Sequence, residues 1–175
     1  LVSDHGMARV DPAQAMPVFD ALSAAGVDTT GILASDDGPT MSLWFRGDTA
    51  RMRRARAALT SALAHAELFP RAESPARWHL RDNPRAGDLL LVASEGWVLQ
   101  RHATDRPSVP GVHGYDPALP DMQGIFLAEG PNVRPRGLIP AFENVDVYPF
   151  LAALLRLRAL PPIDGHAATL EHLVR

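Results

Sequence analysis

Apolar and polar residues alternate in short blocks along this chain, with turn-forming residues between the blocks. Leu1-Val2-Ser3 reads as the end of a buried strand, and Asp4-His5-Gly6-Met7 as the tight loop after it, with Gly6 supplying backbone freedom. Asp11-Pro12-Ala13-Gln14 has the form of a helix start, but Pro17 would clash with a preceding turn. The pattern therefore predicts a broken or late helix through Phe19 and Leu22 that stops at Gly26. Thr29 to Ala34 and Met41 to Phe45 read as strands about the turn Ser35-Asp36-Asp37-Gly38-Pro39. Asp48 is placed to cap a helix whose Met52, Ala55, Leu59 and Leu63 share one face, with Arg51, Arg53, Arg54 and Arg56 mostly on the others.

A short strand is expected through Leu68, then a loop rich in Pro and Arg. Leu89-Leu90-Leu91-Val92 is apolar throughout, as a strand buried on both faces requires. Glu95-Gly96 turns the chain into Trp97-Val98-Leu99. Residues 101–122 are polar and long for a plain connection, the kind of loop that is often functional. Gly124 to Ala128 reads as another strand. Asp146 is expected to cap a last helix that tolerates Pro149 in its first turn and buries Val147, Phe150, Leu151, Leu154 and Leu155. Strands alternating with helices predict an α/β architecture with a largely parallel sheet.

The 175 residues suit one domain or a large part of a bigger one. The longest apolar run, Phe150 to Leu160, is interrupted by Arg156 and Arg158, well short of the ~18 residues of a membrane span. A net charge of −3 argues against nucleic-acid binding by bulk charge. All 17 basic residues are arginine, which reflects base composition before function. The absence of cysteine removes disulfides, thiolate metal sites and cysteine catalysis. A chemically loaded strand tip so close to residue 1 leads us to expect further sequence upstream.

Two short segments could carry chemistry. Asp4-His5 at a strand tip offers a carboxylate and an imidazole, a donor pair that suits zinc. Gly111-Val112-His113-Gly114 sets His113 between glycines, where backbone can approach a site closely. Taken singly, each reads first as structure: a capping Asp with a surface His, or a turn with an incidental His. Together Asp4, His5 and His113 give three candidate ligands; a two-metal site needs more. His65, His79, His102, His166 and His172 lack ligand spacing. The Arg51 to Arg56 run could grip a phosphate or simply form a solvated helix face. Trp44, Trp78 and Trp97 read as core, and Ser3 lacks a nucleophile elbow.

Taken in order, several segments resemble the nucleotide pyrophosphatase/phosphodiesterase family of the alkaline phosphatase superfamily. They are Ser3-Asp4-His5-Gly6-Met7, His113-Gly114-Tyr115-Asp116, Met122 with Ile125-Phe126-Leu127-Ala128-Glu129-Gly130-Pro131, and Phe142-Glu143-Asn144-Val145-Asp146-Val147-Tyr148-Pro149 leading into Leu154-Leu155. Ala76-Arg77-Trp78, Asn83-Pro84-Arg85 and Asp164-Gly165 are similar in place and order. The wording from His113 to Pro120 is similar to bacterial members in particular.

The resemblance implies an alkaline-phosphatase-like sandwich, a largely parallel sheet flanked by helices, present here as its C-terminal part over residues 1–175. It implies two zinc ions in the complete enzyme, with Asp4 and His5 on the ion that also activates the nucleophile and His113 on the other. It implies an in-line displacement on phosphodiesters or nucleotide pyrophosphates, through a covalent nucleotidyl intermediate on a Thr or Ser, with release of a nucleoside monophosphate. In the family that nucleophile and the remaining ligands precede the Ser3-Asp4-His5-Gly6-Met7 motif, so the catalytic nucleophile is expected upstream of residue 1. The 175 residues alone are then expected to turn over little or nothing, and to pack against the missing N-terminal half or another copy of themselves. Export to the periplasm or outside the cell is a further family expectation. Two other readings stand beside this one. The first is a superfamily hydrolase of phosphomonoesters, phosphonates or lysophospholipids. The second is an inactive fragment acting as an assembly module.

Overall fold

The computed structural model describes residues 1–11, 13–105, 109–157 and 161–175. Pro12 of the expected helix start and Arg158 of the interrupted apolar run lie outside the described residues. The chain divides into two compact units, one of residues 5–123 and one of residues 1–4 with 124–175.

In the larger unit the strands are β1 (Ala8–Arg9), β2 (Ala15–Pro17), β3 (Leu33–Asp37), β4 (Thr40–Trp44), β5 (Ala66–Pro70), β6 (Leu89–Ala93), β7 (Val98–Gln100) and β8 (Gly111–Val112). Its helices are α1 (Val18–Ala24) and α2 (Thr49–Ala62). The main sheet runs β3-β4-β6-β5. Met41 and Leu43 of β4 alternate with Thr40, Ser42 and Trp44, so one face enters the core beneath α1 and α2. Leu89 and Leu91 of β6 join that core and Leu90 is buried outside it, as its apolar run predicts. Leu22 from α1 and Ala55 and Leu59 from α2 close the core without exposure. Acidic residues line the edge strand β3, which blunts it against pairing with other chains.

The expected α/β architecture holds, but strand direction within this chain differs from expectation. Every pairing in the four-stranded sheet is antiparallel, and β2–β7 is parallel. For the β3–β4 pairing the cause is the two-residue turn Gly38-Pro39, with Gly38 at φ +69°, which reverses the chain. This turn also corrects the expected strand bounds, since residues 35–37 belong to β3 and Thr29 to Gly31 precede it. At the expected helix start, Asp11 instead caps a turn by accepting from the Ala13 N–H, and the chain enters β2 before the late helix α1. α1 ends as expected near Gly26, at φ +71°. Asp48 caps α2 by accepting from the Arg51 N–H at 2.8 Å.

In the smaller unit, Val2 bridges Phe126 in an antiparallel pairing flanked by Ser3 N–H to Ile125 O and Leu127 N–H to Leu1 O. The expected strands at Leu1–Ser3 and Gly124–Ala128 are thus reduced to this pairing. Leu1 and Val2 are exposed within this chain, against the expectation of burial. Helix α3 (Val147–Leu154) follows Asp146 and carries Pro149 in its first turn, and α4 (Ala167–Leu170) packs near it. Phe150, Leu170 and Leu173 form the core, with Phe126 edge-on to both Phe142 and Phe150. Leu151 and Leu155, assigned by pattern to the buried stripe, are exposed. Asp146 is buried and bonds outward rather than into α3: it accepts the His166 N–H at 2.7 Å.

Candidate metal-binding loops

Strand register brings His5 and His113 together. Ala8 pairs with Val112 and Arg9 with Gly111, and Val10 N–H to Pro110 O extends the ladder. His113 directly follows β8, and His5 lies three positions before β1, so both emerge at the same end of an antiparallel pair. Their rings stack with centroids 3.7 Å apart and planes 20° apart. Gly6 lets the His5 loop lie against residues 121–123: a Cβ there would sit 2.1 Å from the Asp121 carbonyl oxygen and 2.8 Å from that of Gln123. The Gly6 N–H instead donates to Met122 O at 2.9 Å.

The His5 ring is oriented by its own loop. Its Nδ1 lies 2.7 Å from the Gly6 carbonyl oxygen, which can only accept, so Nδ1 is the donor in this contact. A histidine whose second ring nitrogen donates to a carbonyl is the usual supporting arrangement around a metal ligand. The donor chemistry of the pair therefore fits zinc. Asp4 belongs to the smaller unit, where it is exposed and its backbone carbonyl accepts from Asn144 Nδ2 at 3.0 Å. His5 and His113 form a pair, and no group of three or more His, Asp or Glu side chains is gathered for a metal among the described residues.

The His113 loop is held by residues that are not among the candidate ligands. Gly114 at φ +99° turns the chain. Tyr115 is buried and its hydroxyl donates to Trp97 O at 2.9 Å; burial pushes the phenol pKa up. Asp116 receives both arms of the Arg77 guanidinium, one at Nε 2.8 Å away, and also the Ala118 N–H. The Arg77 fork holds the Asp116 carboxyl below the usual carboxylate range, burial opposing it. Both residues stood in quoted motifs, so the signal was present; their contact was not readable from spacing.

The remaining candidates have structural occupations. Arg51 donates to Thr30 O at 2.9 Å and its Nε lies 3.4 Å from Asp48, while Arg56 pairs with Glu73 at 3.0 Å. These partners favour the helix-face reading over a phosphate grip. His65 stacks on Trp97, and His102 meets Asp20 at 2.7 Å. Trp44, Trp78 and Trp97 are partly buried, with Trp78 edge-on to Phe69. No helix among the described residues is long and apolar enough to cross a membrane.

Residues 1–116 match the family profile of type I phosphodiesterase / nucleotide pyrophosphatase. A bis(5'-adenosyl)-triphosphatase of Xenopus laevis is 31% identical over 92% of this chain and 33% of its own length. The human ectonucleotide pyrophosphatase/phosphodiesterase family member 5 is 32% identical over 92% of this chain and 32% of its own. The solved structure of that human protein superposes with a TM-score of 0.84 at 30% identity, covering 99% of this chain and 44% of the solved one. A murine counterpart, solved as an inactive variant in complex with AMP, matches with the same TM-score. The chain thus spans about a third of the length of these two curated relatives. On the profile match over most of its length, the chain belongs to the type I phosphodiesterase/nucleotide pyrophosphatase family.

Proposed function

We propose that residues 1–175 are the C-terminal part of a single phosphodiesterase catalytic domain, which hydrolyses phosphodiester or pyrophosphate bonds in nucleotides and releases nucleoside monophosphates. The observation that carries this reading is the stacked His5–His113 pair, formed by the two motif loops of a family whose relatives are named for that chemistry. Nucleotides are favoured over other phosphoesters because one relative is named a triphosphatase of an adenosyl compound and another is solved with AMP.

Two zinc ions would be held in part by Asp4 and His5, and by His113. When bound, they would stabilise the attacking and leaving oxygens of an in-line displacement at phosphorus. The stacked rings bring the two imidazoles, one from each motif loop, to the same place. His5 donates from Nδ1 to the Gly6 carbonyl, which fixes the direction of its ring. The nucleophile, a Thr or Ser that forms the covalent intermediate, lies in sequence preceding this chain. Leu1, Ile125 and Leu127 leave apolar surface at the Val2–Phe126 bridge, consistent with packing against that preceding part. Export, to the periplasm or outside the cell, is supported by relatives named as ectoenzymes and venom enzymes.

Hydrolysis of a chromogenic phosphodiester with zinc supplied tests the reading. The 175 residues alone should show no turnover, and addition of the upstream sequence should restore it. Turnover by the chain alone would overturn the division of the site.

A further inference from the structure

His113 needs a fixed ring direction if it is to hold a metal, and its loop borders an open cleft. Gly114, Tyr115, Asp116 and Pro117 line a cleft of about 300 Å³ together with Arg77, Trp78 and Leu80. Two directed bonds restrain the loop on this side, in addition to the burial of Tyr115 in the core. One is the Tyr115 hydroxyl on Trp97 O. The other is the two-armed Arg77–Asp116 pair. Arg77 itself stands on a firm base. It lies in the turn Ala76–Trp78, which follows the fully buried Ser74, and Trp78 packs edge-on against Phe69 of β5 with ring centroids 5.2 Å apart. A continuous path therefore runs from the main sheet through Trp78 and Arg77 to Asp116, three residues beyond His113.

We infer that Arg77 and Asp116 are positioning residues for His113: their pairing fixes the loop so that the His113 ring is held against His5 in an orientation ready for a divalent metal. The planar fork matters as well as the charge, because two parallel bonds fix direction where a single ammonium contact would let the loop pivot. The inference rests on the proposal that His113 is a metal ligand, but its geometric half does not.

The test uses the complete enzyme carrying Arg77→Ala, Arg77→Lys, Asp116→Asn or both Arg77→Ala and Asp116→Asn, with His113→Ala as reference. Two readouts are taken: ring-to-ring NMR contacts between His5 and His113 in metal-free protein, and zinc affinity by competition with a chelator. Arg77→Ala and Asp116→Asn should each remove the ring contacts and weaken zinc by about 10–100-fold. The double variant should lose no more than either single one, because both remove one interaction. Arg77→Lys should recover only part of the loss. Unchanged ring contacts and unchanged zinc affinity in Arg77→Ala would overturn the inference. Zinc affinity indifferent to His113→Ala would overturn the ligand reading instead, and the ring contacts would still decide whether Arg77 positions the loop.

Discussion

The imidazoles of His5 and His113 stack at 3.7 Å because a two-residue antiparallel ladder, Ala8 with Val112 and Arg9 with Gly111, sets two distant loops side by side. Nothing in a short ladder itself demands that the adjoining loops both end in histidine. If the pair serves metal chemistry, His113→Ala in the complete enzyme should reduce phosphodiester hydrolysis to background. Asp4→Ala should do the same. Both proteins should retain their circular dichroism spectra, since Asp4 and His113 are exposed. Steady-state rates with a chromogenic phosphodiester check this; wild-type rates in either variant would sink the assignment.

Gly6 shows how closely the first loop is fitted. Its missing Cβ leaves room for two backbone carbonyls, of Asp121 and Gln123, which cannot swing away as a flexible side chain could. Gly6→Ala should therefore force the backbone apart, break the bond to Met122 O and cost about 3 kcal/mol, the upper range for overpacking. Gly26→Ala is the contrast. Gly26 has φ +71° and open space around it, so only left-handed strain applies, about 1 kcal/mol. Urea unfolding of the two variants should rank them in that order. A Gly6→Ala protein as stable as wild type would show that the loop does not approach residues 121–123 so closely.

The Arg77–Asp116 pair predicts a pH dependence with a definite sign. The Arg77 fork, helped by the Ala118 N–H and opposed by burial, depresses the Asp116 carboxyl pKa in the folded state. A depressed folded pKa contributes stability that is fully present above the unfolded value of about 3.9 and is lost as pH falls through the folded value. Arg77→Ala should thus destabilise modestly at pH 7, as for a partly solvated pair. The gap between variant and wild type should shrink below pH ~4. Urea midpoints at pH 7 and pH 3 measure it. A gap that stays constant, or widens toward acid, would mean that the pair is not what sets the Asp116 titration.

The features legible in the sequence were those settled within a few residues. Asp48 and the spacing of Ala55 and Leu59 define α2 because a cap and one helix face are local properties. Gly26 ends α1 for the same reason. Strand direction was not local. The run Leu89 to Val92 looks the same whether its neighbours run parallel or antiparallel, and only the pairing with Met41 and Leu68 decides. Nor could spacing place His113 on His5, since that depends on the register of a ladder two residues long. The resemblance located both loops as motifs without describing how they meet. Arg77 and Asp116 were visible only as members of motifs, because an ion pair between two loops leaves no periodic trace.

Helix α3 shows the same limit and carries the last prediction. Nearly every residue from Val147 to Leu155 is apolar, so no polar face marks which side turns inward. The structure chooses Phe150 and Ala152, and leaves Leu151 and Leu155 exposed. Phe150 sits against Phe126 at 5.6 Å in a core shared with Leu170 and Leu173, so its loss leaves a cavity that few neighbours can fill. Phe150→Ala should cost about 3–5 kcal/mol. Leu151→Ala in the same 175-residue chain should stay within about 0.5 kcal/mol of wild type, as for an exposed site. The two differ by one position along the helix, so helix propensity and length of side chain lost cannot account for so wide a gap. Thermal melts of the two variants decide it, and equal destabilisation would mean that α3 packs on its Leu151 side.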